Sequence, residues 1–141
     1  MSARAIHHVA LTVNHWGRSR EFYLKLSEAL GCKPIIDVQG SPHQDAEGRV
    51  LVFAGNDFMY SIWEAKKEYY ENNFQFYNVG LHHFAFAAPS RAAVDNLHEK
   101  LNVMGADVLE PPQEYPYVPG YYAVFFRDPD GMKLEYVHIP T

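Results

Sequence analysis

A chain of 141 residues with 48% apolar side chains is the size of one domain or of two small repeats, and it can bury a core without covalent staples. Its net charge of −5, with Lys and Arg scattered, offers no basic face, which argues against nucleic acid and anionic membrane as partners. One cysteine, Cys32, cannot form an internal disulfide, and neither a signal-peptide pattern nor a long apolar run is found, so a cytoplasmic location is expected.

Residues 6–13 alternate like a half-buried strand, with His7, Val9, Leu11 and Val13 on one face and His8, Ala10 and Thr12 on the other. From residue 18 to 30, Phe22, Leu26, Ala29 and Leu30 recur at helical spacing, and Gly31 is placed to cap the helix. Residues 34–38 read as a strand and 39–48 as a loop. Residues 49–53 and 58–64 read as two more strands around a turn at Gly55-Asn56-Asp57. The order is strand, helix, strand, strand, strand.

Residues 66–79 are polar and aromatic without a clear period and form a connection. The order then restarts. Residues 80–87 repeat the first strand down to a second His-His pair, His82-His83. Ser90 follows Pro89 as an N-cap, Val94, Leu97, Leu101 and Met104 make a buried helical stripe, and Gly105 ends it. Residues 106–109, 121–127 and 132–139 supply three further strands. The last two flank Asp128-Pro129-Asp130-Gly131, a hairpin-turn sequence in which proline presets one dihedral and glycine accepts the left-handed one.

His83 lies 75 residues after His8, and Gly105 lies 74 after Gly31, so the halves superpose with one single-residue slip. We expect a single α+β domain over residues 1–141, made of two tandem β-α-β-β-β modules at about 4–65 and 80–140. Together they should form an open, barrel-like eight-stranded mixed sheet around a metal cleft. Carrying the offset of 74 forward pairs Glu135 with Ser61 and Glu64 with His138.

Parity along the strands decides which side chains face away from the helices. Leu134 and Tyr136 take the core side, whereas Lys133, Glu135 and Val137 take the other, together with His8 and His83. Two imidazoles and a carboxylate on regular strands form a facial ligand set for one divalent metal ion, Fe, Ni, Zn, Mn or Co, with positions open to water or substrate. Trp63, Tyr121, Phe125 and Arg127 share that parity and are the expected substrate contacts: aromatic rings for an apolar body, a guanidinium for a carboxylate. No general base is assigned; Tyr117, Tyr121 and Glu64 are weak candidates. In the competing reading Glu135 pairs with Lys133 or caps a turn and the histidines are packing residues. His7 and His82 are expected to be structural or rim residues, and Cys32 a small buried residue. The stretch 115–122 reads equally as a loop that covers substrate, as an ordinary Pro-stiffened loop or as a dimer contact. Tyr69, Tyr70, Phe74, Phe76 and Tyr77 are too dense for a solvated linker and are expected to pack on a module or a second subunit, which suggests a homodimer.

These residues resemble the vicinal oxygen chelate superfamily, which includes glyoxalase I, bleomycin resistance proteins, methylmalonyl-CoA epimerase, fosfomycin resistance thiol transferases and extradiol dioxygenases. The marks are His8-Val9-Ala10-Leu11-Thr12-Val13, Ser19-Arg20-Glu21-Phe22-Tyr23 with Gly31, His83-Phe84-Ala85-Phe86 and the run from Phe126 through Asp128-Pro129-Asp130-Gly131 to Glu135. The resemblance implies paired β-α-β-β-β modules and metal ligands at His8, His83 and Glu135. Glyoxalase I has an acid, and methylmalonyl-CoA epimerase a glutamine, at the position of Ser61. Extradiol dioxygenases use three ligands but have a tyrosine at the position of Phe125. The leading expectation is a divalent-metal-dependent, glyoxalase-like lyase or isomerase acting on a small oxygen-chelating molecule. The alternatives are a non-haem Fe(II) dioxygenase and a metal-free binding protein of the bleomycin resistance kind.

Overall fold

The computed structural model describes residues 5–39 and 48–141; most of the loop expected at 39–48 lies outside the described residues. The chain divides into two units, Met1–Asn72 and Asn73–Thr141, with the boundary inside the connection at 66–79.

In the first unit, strand β1 (His8–Val13) leads into helix α1 (Trp16–Leu30), then β2 (Lys33–Gln39), β3 (Arg49–Ala54) and β4 (Met59–Glu64). The sheet order is β1-β4-β3-β2, with β1 parallel to β4 and the other pairs antiparallel. Alternation places Val13, Leu11, Phe53, Tyr60 and Ile62 among the buried residues with Phe22, Tyr23 and Leu26 of α1, while His8, Ala10 and Thr12 are exposed. The helix starts at Trp16, two residues before the apolar period, because His15 takes a left-handed conformation (φ 47°) that turns the chain and the Ser19 hydroxyl donates back to the Asn14 carbonyl. A short 3-10 turn (Lys67–Tyr69) follows β4, and the Asn14 amide donates to the Tyr70 carbonyl at 2.9 Å.

In the second unit, β5 (Phe84–Ala87) precedes α2 (Arg91–Met104), β6 (Asp107–Glu114), β7 (Tyr122–Arg127) and β8 (Lys133–His138), in sheet order β5-β8-β7-β6. The Ser90 hydroxyl accepts the Ala93 N–H at 3.1 Å, as an N-cap should. Strand β6 runs five residues past its expected end, through Pro111 and Pro112. It can do so because it is an edge strand whose register shifts between Glu110 and Gln113, so neither proline must donate to the ladder. The connecting aromatics divide between the units. His15 packs on Tyr70 in the first, while Phe76 and Tyr77 pack on His82 in the second.

The two sheets repeat one pairing scheme. In the first, Ala10 is opposite Ser61 and Val52 opposite Ser61; in the second, Ala85 is opposite Glu135 and Phe125 opposite Glu135. Ser61 and Glu135 are thus equivalent positions, as the repeat offset requires. The fold is α+β, two four-stranded mixed sheets each carrying one helix. Among the described residues no helix is long and apolar enough to cross a membrane.

Candidate metal centre

The second unit builds its site on the middle strand β8. Leu134 and Tyr136 point to α2 and are buried, yet Glu135, on the opposite face, is only 1% exposed. A carboxylate removed from water is costly unless its oxygens meet donors or a cation. Oε1 is satisfied by the Tyr121 hydroxyl, which donates to it. Among the described residues Oε2 receives no hydrogen bond. It faces His83 Nε2 at 3.0 Å, an ion-pair distance without hydrogen-bond geometry.

The other nitrogen of His83 explains why this contact matters. His83 Nδ1 lies 2.8 Å from His82 Nδ1. When His83 donates that bond from Nδ1–H, its Nε2 carries a lone pair, and two acceptors, Nε2 and Oε2, converge on one point. An orphaned buried carboxylate oxygen beside an imidazole lone pair fits a divalent cation.

Rings close around this pair. Phe125, opposite Glu135 on β7, contacts the His83 ring edge-on at 6.1 Å and the Tyr115 ring at 5.3 Å. Tyr115 and Tyr117 stack at 5.8 Å, and Tyr117 meets Tyr121 at 5.2 Å. Burial, then the bond to the Glu135 carboxylate and its charge, raise the Tyr121 phenol well above the ordinary tyrosine range. Tyr121 is therefore a hydrogen-bond donor at neutral pH, not a base. Burial, then the bond to Glu110, raise Tyr115 in the same way.

The first unit carries the same scaffold with other side chains. His8 stands exposed on β1, its Nδ1 2.8 Å from His7 Nδ1, the same contact as in the second pair. Ser61, 6% exposed, accepts the Trp63 indole N–H at 2.9 Å, and Glu64 accepts the Arg49 backbone N–H at 3.1 Å. Of the expected site residues, His83, Glu135, Tyr121 and Phe125 come together in one unit, and His8 and Trp63 belong to the other. Among the described residues no group of three His, Cys, Asp or Glu side chains forms a metal-holding set. Arg127 is engaged by Asp107, its partner across the β6–β7 ladder, at 3.3 Å.

The family model of the Glyoxalase/Bleomycin resistance protein/Dioxygenase superfamily matches residues 5–136. The chain belongs to this superfamily. Among its relatives within it, the uncharacterized Bacillus subtilis protein YqjT is 33% identical over 134 residues, 94% of this chain and 97% of the relative. A solved glyoxalase-type protein from Bacillus halodurans superposes with TM-score 0.78 at 27% identity, covering 96% of each chain. The fold is also shared with lactoylglutathione lyase from Agrobacterium tumefaciens, at TM-score 0.66 and 20% identity over 98% of this chain and 96% of that one. Fosfomycin resistance protein FosX from Listeria monocytogenes shares it too, at TM-score 0.67 and 19% identity over 99% and 96%.

Two further residues of this superfamily member stand at the site. Tyr115, in the stretch 115–122 expected as a loop, packs on Phe125. Lys133 was marked, since it shares the parity of Glu135, but pairing the two was the bland reading. Its ammonium instead lies over the Phe125 ring, 4.7 Å from the centroid.

Proposed function

We propose that this superfamily member is a divalent-metal-dependent lyase or isomerase acting on a small substrate that chelates through adjacent oxygens. The observation carrying this reading is Glu135: a carboxylate 1% exposed, whose Oε2 receives no hydrogen bond among the described residues and has His83 Nε2 3.0 Å away. His83 and Glu135 would be two ligands and His8, the repeat equivalent of His83, the third. The bound ion, one of Fe, Ni, Zn, Mn or Co, would supply Lewis acidity toward the substrate oxygens.

The protein groups do the rest. Tyr121 holds one carboxylate oxygen and so directs the other toward the metal position. Phe125, buried, and Tyr115, packed on it, wall that side of the site, and Trp63, Tyr121 and Arg127 are the remaining proposed substrate contacts. Glu64 is bound to the Arg49 N–H and Tyr121 is a donor, so neither is assigned as base. A homodimer belongs to the same proposal, supported by edge strand β2, where Ile35, Ile36 and Val38 are exposed.

One observation favours a second reading. Ser61, where an acid would make a fourth ligand, accepts the Trp63 indole N–H instead, which leaves the three-ligand set used in Fe(II) oxygen chemistry. Elemental analysis of protein purified without chelators tests both. About one divalent ion per chain is expected in the wild type and in Ser61→Ala, and none in Glu135→Ala. Equal metal in wild type and Glu135→Ala, or none in either after reconstitution, overturns the proposal. Iron with oxygen uptake replaces the lyase reading by the oxygenase.

A further inference from the structure

We propose that Lys133 is an anion-binding residue of the site and that the substrate carries a carboxylate beside its chelating oxygens. This rests on the metal reading above and adds the substrate's charge to it. Lys133 is half-buried at the start of β8, two residues before Glu135 and on the same face, which separates their Cα atoms by roughly 7 Å. Its ammonium lies 4.7 Å from the Phe125 ring centroid and 5.3 Å from that of Phe76. Phe125 is also the ring packed on His83, so one aromatic surface floors both the metal-facing imidazole and the amine.

Ring faces attract an ammonium but offer its three N–H donors no acceptor of hydrogen-bond strength. Among the described residues Lys133 makes no ion pair. Glu135, the nearest carboxylate in sequence, turns its oxygens to Tyr121 and His83, and the neighbouring cation Arg127 is held by Asp107. The ladder partner of Lys133 is Arg127, a like charge, so its own strand pair cannot neutralise it. A substrate carboxylate is the group this arrangement lacks. Bound there, it would lie within one short carbon chain of oxygens at the metal position and would gain a charge-assisted hydrogen bond in a partly dry setting.

The test uses two chelating probes on the metal-loaded full chain, acetohydroxamate and succinic acid monohydroxamate, which differ by a carboxylate. Dissociation constants are measured by calorimetry for wild type, Lys133→Gln and Lys133→Arg. The wild type should bind the carboxylate probe about tenfold tighter or more, Lys133→Gln should reduce the ratio to about one, and Lys133→Arg should keep most of it. Acetohydroxamate should bind all three alike, which also shows that the variants are folded. Equal binding of the two probes to wild type, or a preference that survives Lys133→Gln, overturns the role of Lys133. Metal-loaded protein that binds neither probe overturns the chelation reading and this inference with it.

Discussion

The two units are copies of one plan whose equivalent positions have diverged in opposite directions. On the face away from the helix, the first unit has Ser61 bound by the Trp63 indole, and the second has Glu135 bound by the Tyr121 hydroxyl. On the helix face the polarity is reversed. The first unit buries a hydrogen-bonded pair, Ser27 with Tyr60, where the second buries Leu101 and Leu134 at the same offsets. The comparison teaches that the pairing register is what the repeat preserves, while each face takes polar groups where that unit needs them. A hydroxyl pair is self-sufficient in a core; a buried carboxylate needs donors or a cation, and Glu135 has the Tyr121 hydroxyl and the His83 ring beside it.

The largest stability effect should come from the pair that distinguishes the first core. Tyr60→Phe leaves the buried Ser27 hydroxyl without this partner and should cost about 2 kcal/mol in urea unfolding. Ser27→Ala should cost similarly, and the double variant less than the sum, as expected for one shared interaction. Additive costs would mean that the bond is not what holds the pair. The same variant has a pH signature. Burial, the largest cause, raises the Tyr60 pKa in the folded state above its unfolded value of about 10. Its contribution is fully present below about pH 10 and is lost as pH rises from there through the folded pKa. Thermal unfolding above pH 10 should therefore decline more steeply in wild type than in Tyr60→Phe.

A smaller effect is expected at the second unit's donor. Tyr121→Phe frees Glu135 Oε1 and should weaken metal retention about tenfold in chelator competition, with Trp63→Phe, the first unit's counterpart donor, leaving it within about twofold. Equal losses in the two variants would remove the functional asymmetry between the units.

The smallest effect separates the two hairpin turns. Gly131 has φ 88°, so Gly131→Ala should cost about 1 kcal/mol while Gly131→Asn, which tolerates that conformation, should cost less. At Gly55 the obstacle is the Phe58 ring, 2.4 Å from an added Cβ, so Asn there should be no better than Ala. Thermal melts of the four variants decide it.

Much of this was legible in the chain. Period-two alternation assigns the side chains of a strand to two faces, and the ladders agree for Leu134, paired with Phe84 and Phe126, and Glu135, paired with Ala85 and Phe125. The offset of 74 makes Ser61 the counterpart of Glu135, and the ladders agree. The start of α1 was misjudged because His15 uses a left-handed backbone that a non-glycine seldom advertises. The length of β6 was misjudged because prolines are excluded from central strands but not from a shifted edge. The ion pair of Arg127 is not legible locally, because its cross-strand partner, Asp107, is 20 residues away in the chain.

By itself, then, the sequence determined the repeat, the order of elements and the faces, because each rests on local spacing read against a fixed backbone period, while the family is legible through the resemblance of its motifs. Tertiary structure alone decided how deeply Glu135 is buried, which of its oxygens Tyr121 takes, and that Arg127 is paired while Lys133 rests on Phe125. Those are matters of rotamer and of contact between strands, and periodicity assigns a side chain to a face without saying whom it meets there.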